Sequence, residues 1–209
     1  DLYKDFASFN QMNHVILLVP LQNDSIWLEC TSQTYPFGYV HDGIAGQDAL
    51  VIDENGKGGV VCRLPTYSDK DNKTDTKLVI DVLEDGSGKI NATFSEHVNQ
   101  YGDYAYIFRS KDREEHIRYI NGSLKLPKSQ IGNISTSEER SSMPSCTMVT
   151  EVVVGDLANK TGNRLFISAC PLKKVNLNKF SSEKRVYDIE IDQGYSENDT
   201  IIFNIPELY

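Results

Sequence analysis

Hydrophobic and polar residues alternate along much of this chain, and short polar turns separate the alternating stretches. Alternation with a period of two is typical of strands that bury one face. The turn-forming runs 22–24, 53–59 and 84–88 are suited to joining strands into hairpins. The pattern predicts strands over residues 14–19, 25–30, 49–52, 60–64, 78–83, 89–94, 147–154, 164–169, 185–191 and 200–205.

One stretch has helical periodicity instead. Ser110 is a suitable N-cap, and Ile117 and Ile120 share one helical face, so we predict a single helix near residues 110–121. The aromatic run 101–108 fits either a core strand that leads into this helix or a platform for carbohydrate or peptide binding. Many strands with one crossing helix predict a mainly β fold, with an antiparallel β-sandwich.

A polar segment divides the chain. Residues 66–76 are almost without apolar side chains, which is typical of a boundary between two packing units. We predict a first unit over residues 1–65, a linker over 66–76 and a β-sandwich domain over 77–209. The 209 residues are enough for one large or two small domains.

Charge and hydropathy narrow the range of partners. The formal net charge is −9, from 21 basic and 30 acidic residues, and no stretch is rich in Lys and Arg. An acidic chain without a basic face binds polyanions poorly, so we expect no nucleic-acid partner. The longest apolar run, 15–21, is far shorter than the roughly 20 residues of a membrane-spanning helix, so we predict no membrane span.

Four cysteines, at positions 30, 62, 146 and 170, have no CxxC or other metal-ligand spacing. A phosphate-cradling glycine motif is also missing from the sequence, so we predict neither a metal nor a cofactor. The count allows two disulfides. A chain of this length does not need them, and we expect free, buried thiols.

Candidate chemistry is concentrated in the first predicted hairpin. His14 opens its first strand, and Glu29 lies 15 positions later at the end of the second strand, behind Trp27. Cysteine-type acyl transfer needs a thiolate, an imidazole and a group that fixes the imidazole tautomer, and His14 and Glu29 can supply the second and third. Spacing alone favours an ordinary strand-end histidine, because a turn at 22–24 pairs His14 with a residue beyond Glu29. A bulge or strong twist would have to close that gap.

The sequence around these residues resembles a known family. The segments FNQMNHVI (9–16), VPL (19–21), WLECTS (27–32) and PFG (36–38) are similar to transglutaminase-like, papain-fold multidomain proteins of the Bacteroidetes type. The resemblance implies that His14 is the general base and that Glu29 orients it. Trp27 shares a strand face with Glu29, so it is a candidate wall of the substrate site, and packing in a core or an interface is the alternative. The chain differs from the family pattern in having Glu29 where Asp is commoner and Cys30 where proline is usual.

The resemblance also implies what the whole protein does. The chain would be the end of a transglutaminase-like core followed by its C-terminal β-sandwich, from a periplasmic or cell-surface protein. The parent would be a cysteine-dependent amide hydrolase or acyltransferase, similar to a cysteine protease, acting on a protein or peptide. In this family the nucleophile precedes the histidine, and none of the thirteen residues before His14 is cysteine, so we expect this chain alone to be inactive.

The alternative is a non-catalytic β-sandwich module that binds a partner or scaffolds a surface assembly. For either function, the strands 14–19 and 25–30 are apolar on both faces, as in strands covered by two layers. We therefore expect an exposed patch that includes Val15 and Leu17, and self-association through these N-terminal strands.

Overall fold

A computed structural model describes residues 3, 5–6, 8–56, 58–173 and 193–207. A short 3-10 helix (Phe9–Gln11) precedes the first strand, and helices α1 (Asn99–Arg109) and α2 (Arg113–Ser123) follow the sixth. The strands are β1 (Leu17–Pro20), β2 (Ser25–Leu28), β3 (Asp48–Ile52), β4 (Gly59–Arg63), β5 (Lys73–Val82), β6 (Gly88–His97), β7 (Ser129–Glu139), β8 (Ser145–Val154), β9 (Ala158–Thr161), β10 (Arg164–Ile167) and β11 (Ser196–Asn204). The predicted mainly β class is confirmed.

A five-stranded sheet in the order β11-β5-β6-β8-β7 carries the main core. Its neighbouring strands are antiparallel except for β11, which runs parallel to β5 with Ser196 beside Lys73. Along β5, Leu78, Ile80 and Val82 are buried while the residues between them are more exposed. The alternation read from the sequence therefore corresponds to one buried sheet face.

Two helices cover that buried face. Helix α1 contributes Tyr101 and Phe108 to the core, and α2 contributes Ile120, against strand residues such as Phe94 and Met148. Among the described residues, the layer over the sheet is therefore helical, whereas the sequence predicted a second sheet and one helix. The core strand that was one of the two expectations for 101–108 is wrong, because Tyr101, Ala105 and Phe108 recur at helical spacing and share the buried face of α1. The binding platform stays a prediction.

The predicted helix is present with slightly different ends. It begins at Arg113 rather than near Ser110, because the Asp112 carboxylate accepts a hydrogen bond from the Glu114 N–H at 2.9 Å. Ser110 supports the turn before it by accepting from the Asp112 N–H at 3.0 Å. An aspartate N-cap is also favoured by the helix dipole.

The N-terminal hairpins β1–β2 and β3–β4 form a second, smaller core. Val40, Ala45 and Leu64 are buried there, and Trp27 packs against them. Tyr39 links this region to the sheet: it is fully buried, its hydroxyl donates to the Val98 carbonyl at 3.2 Å, and its ring lies edge-on to Tyr101 with centroids 6.0 Å apart. The two cores are thus in direct contact.

The predicted linker is partly regular structure. Residues 73–76 begin β5, and Asn72 is only 3% exposed. Polar residues are accepted here because the Asn72 side-chain amide donates to the Gly194 carbonyl at 2.9 Å. The division into units at 1–65 and 77–209 stays a prediction. The predicted strand 185–191 lies outside the described residues.

The four cysteines are free. Cys146 is buried, Cys62 is half-buried, and Cys30 and Cys170 are exposed. The expectation of buried thiols therefore holds fully for Cys146 alone among the four. Neither described helix has the length and apolar character needed to cross a membrane.

Candidate functional site

The β1–β2 hairpin brings His14 and Glu29 together. Leu17 pairs with Leu28, and continuing that register outward would set position 14 opposite position 31. Glu29 is two residues from that point, on the same face, in the diagonal position from which long side chains still reach each other. The His14 Nε2 and Glu29 Oε2 atoms are 2.6 Å apart. The predicted imidazole–carboxylate contact is therefore confirmed, with no bulge needed.

Glu29 is a fixed, ionised acceptor. Its side chain is 1% exposed, and Oε1 accepts hydrogen bonds from the backbone N–H of Thr31, at 2.7 Å, and from the Thr31 hydroxyl. Burial acts to raise its pKa, but the hydrogen bonds from Thr31 and His14 together outweigh burial and lower the pKa to about 2. Both carboxylate oxygens thus have defined partners.

A second histidine joins this pair. His41 Nε2 lies 3.5 Å from Glu29 Oε2, and the His41 ring stacks on Tyr35 with centroids 4.9 Å apart and planes 18° apart. No motif surrounds His41 in the sequence, and its context is typical of a solvated loop residue, but its side chain is only 18% exposed. The loop between β2 and β3 folds back over the hairpin and carries His41 onto the carboxylate.

Trp27 lies beside the pair but faces the small core. It is half-buried against Val40, Ala45 and Leu64. This packing accounts for a tryptophan at this position. A role for Trp27 in binding substrate stays a prediction.

The thiols differ sharply in environment. The Cys30 Sγ interacts with the Leu28 carbonyl at 3.6 Å, and the residue is exposed rather than packed. Burial raises the pKa of Cys146 to about 12, with nearby Glu96 and Glu138 adding to the effect. Cys146 therefore stays protonated at neutral pH and is unsuited to nucleophilic attack.

The two remaining histidines lie in the sheet-and-helix region. The charged helical sequence around His116 is typical of an exposed residue, but His116 is buried, with Nε2 2.9 Å from the Ile107 carbonyl. It packs between α1 and α2 as a structural residue. His97 Nε2 lies 3.2 Å from Asp75 Oδ2, a second imidazole–carboxylate pair, on the sheet.

A cavity of about 620 Å³ lies between the sheet and the helices. Phe94, Tyr104 and Tyr119 line it, together with Glu96. Glu96 is 2% exposed, and burial raises its pKa to about 7 against the opposing effect of hydrogen bonds from Thr74 and Tyr119. Sequence reasoning missed this carboxylate, whose only signal was an acidic residue at an inward position of an alternating strand.

No family model, curated protein or solved structure matches the chain. What the site can do must therefore be argued from its geometry. An imidazole held by an ionised carboxylate can accept a proton from a nucleophile and return it to a leaving group.

Proposed function

We propose that this chain supplies the general base and its orienting carboxylate to a cysteine-dependent amide hydrolase or acyltransferase of the transglutaminase-like type. The observation that carries this proposal is the 2.6 Å contact between His14 Nε2 and Glu29 Oε2. The resemblance of residues 9–38 to that family supports it independently of the geometry.

The roles of the two residues follow from which nitrogen is engaged. Because Nε2 of His14 faces Glu29, Nδ1 is the nitrogen left to take a proton from a thiol. The carboxylate then stabilises the imidazolium while the thiolate attacks the amide carbonyl. The imidazolium returns its proton to the leaving amine, and water or an acceptor amine resolves the thioester.

The proposal assigns the thiol to a segment outside these 209 residues. Cys146 is buried and protonated, and the Cys62 thiol donates to the Ala49 carbonyl at 3.8 Å in the β3–β4 hairpin. Cys170 precedes Pro171, whose carbonyl accepts from the Lys125 N–H just after α2, in the region of the sheet and helices. Cys30 directly follows Glu29, and neighbouring residues of an extended segment face opposite sides. The substrate class, a protein or peptide, and the periplasmic or cell-surface location rest on the resemblance.

The test uses the full-length gene product on amide and ester substrates. His14→Ala and Glu29→Ala should each lower kcat/KM by at least about 100-fold, as expected for loss of a base or its partner. The His97→Ala variant, which breaks the other imidazole–carboxylate pair, should keep activity. Undiminished turnover in His14→Ala, or turnover abolished by Cys30→Ala, would overturn the proposal.

A second candidate function is binding without chemistry. The aromatic cavity beside Glu96 favours it, since a concave site with a few polar groups is typical of ligand binding. This function predicts that the full-length product has no iodoacetamide-sensitive activity. It also predicts that Tyr104→Ala, and not His14→Ala, removes the binding of a partner.

A further inference from the structure

Three metal-ligating atoms converge at the hairpin site. His14 Nε2, Glu29 Oε2 and His41 Nε2 all lie within 4.8 Å of one another. The planes of the two imidazole rings are 89° apart, and the Nε2 atom of each ring lies within 3.5 Å of the same carboxylate oxygen, Glu29 Oε2. The three ligands come from three separate segments: the approach to β1, the exit from β2, and the loop before β3.

This ligand set has a defined metal preference. Two imidazoles and one carboxylate suit Zn²⁺ and neighbouring first-row ions, whereas Ca²⁺ and Mg²⁺ prefer oxygen ligands. Ligands about 2.0–2.2 Å from a tetrahedral zinc are separated by about 3.4 Å. The 3.5 Å between His41 Nε2 and Glu29 Oε2 already fits, and the 2.6 Å to His14 must open by about 0.8 Å.

The surrounding contacts orient the ligands. The backbone N–H and the hydroxyl of Thr31 donate to Glu29 Oε1, which leaves Oε2 to bind a metal together with the two histidines. Asp42 Oδ1 is 3.7 Å from His41 Nδ1, so it has to approach by about 0.7 Å to accept a hydrogen bond from Nδ1–H when Nε2 binds a metal. The Gly43 N–H donates to Asp42 Oδ1 at 2.8 Å as well as to His41 Nδ1 at 3.2 Å. When Nδ1 of His41 carries the ring proton and can no longer accept, the Gly43 N–H still has the Asp42 carboxylate as its acceptor. Such outer contacts fix ligand tautomer and geometry.

We propose that His14, Glu29 and His41 form a binding site for a divalent first-row metal ion such as Zn²⁺. When the metal binds Nε2 of His14, the ring proton of this histidine moves from Nε2 to Nδ1, since the metal and the proton compete for the same lone pair. The metal-bound site therefore cannot use His14 as a base. This regulatory consequence rests on the proposed function, whereas metal binding itself does not.

The experiment titrates the 209-residue chain with ZnCl₂ by isothermal titration calorimetry at pH 7, and with CoCl₂ by visible absorption. Because exposed thiols also bind Zn²⁺, the Cys30→Ser, Cys170→Ser background is used throughout. One equivalent should bind. His41→Ala and His41→Gln should each weaken binding at least about 10-fold, and His97→Ala, the matched control, should leave it unchanged.

The same variants separate this inference from the proposed function. His41→Gln should keep the hydrogen-bonded imidazole N–H signal of His14 in the proton NMR spectrum, and that signal should disappear in Glu29→Gln. Loss of metal binding in His41→Gln with the signal retained supports the site. Absence of one-equivalent binding, or binding unaffected by substitution of either His14 or His41, would overturn it, whatever the activity of the full-length product.

Discussion

Glu96 offers a direct measurement of what a buried carboxyl does to this fold. Its side chain lies among core residues of β6, where Oε2 accepts from the Thr74 hydroxyl at 2.6 Å and Oε1 from the Tyr119 hydroxyl at 2.7 Å. Burial is the largest influence on its pKa, and the negative charges of Asp103 and Glu197 act in the same direction. The two hydrogen bonds only partly offset these effects, and the pKa rises from 4.5 to about 7.

This shift fixes the sign and size of the expected effect. Because the folded pKa lies above the unfolded one, the folded state holds the Glu96 proton more tightly between about pH 4.5 and 7. The associated stability is fully present below pH 4.5 and is lost as the pH rises through 7. At 1.36 kcal/mol per pKa unit, the loss is about 3 kcal/mol at most, and relaxation of the site should reduce it to between about 1 and 3 kcal/mol.

The perturbation is Glu96→Gln, which keeps the shape and stays neutral at every pH. We expect wild type to lose about 1–3 kcal/mol of unfolding free energy between pH 4.5 and 8 relative to this variant. Urea unfolding at several pH values, followed by circular dichroism, measures it. Glu151→Gln makes the same change on the exposed face of β8 and should follow wild type. Parallel pH profiles for wild type and Glu96→Gln would refute the reasoning.

Other regions of the molecule give three more predictions. Because the pKa of Glu29 is lowered to about 2, its ionised form stabilises the fold above pH 4.5, and this stability is lost as the pH falls to 2. Glu29→Gln should therefore lose less stability than wild type between pH 4.5 and 2. An unchanged acid-unfolding curve would contradict this. Arg109→Lys should lower stability by about 1 kcal/mol in thermal unfolding. The Arg109 guanidinium donates to both Glu138 and the Thr34 carbonyl, and a lysine ammonium cannot reproduce this forked geometry. No change in stability would mean that the forked geometry is dispensable. Leu17 is 52% exposed, so Leu17→Glu should reduce any species above 23.5 kDa in light scattering, and an unaltered profile would exclude the β1 surface from association.

Local patterns predicted the hairpins well because the two features that determine a hairpin, the alternation of its strands and its turn, lie close together in the chain. Alternation sets which residues face inward, and the turn at 22–24 sets the register of β1 against β2. The β3–β4 and β5–β6 pairs follow the same rule. The spacing correctly pairs His14 with a position beyond Glu29, but it did not predict that the two side chains meet diagonally without a bulge. Strand β7 was missed because it is an edge strand rich in Ser and Glu, with a bulge between Ile131 and Ile134.

Features that depend on distant contacts could not be predicted in this way. Helix α1 has an aromatic composition that favours strands, and only its packing against the sheet selects the helical spacing of Tyr101, Ala105 and Phe108. The contact between His41 and Glu29 could not be predicted, because His41 lies in an irregular loop and no motif surrounds it in the sequence. The high pKa of Glu96 depends on the core around it, which no local segment reveals.

The parallel pairing of β11 with β5 has a consequence for how the chain is made. Asn198 donates to Asp75 across the two strands, and these partners are separated by 123 residues. At ribosomal rates of about 5–20 residues per second, β11 is synthesised about 6–25 s after β5. During that interval one edge of β5 has unpaired backbone groups and can pair with a neighbouring nascent chain. Co-translational aggregation on polysomes should therefore begin at this edge, and slower synthesis of the last third of the chain should increase it.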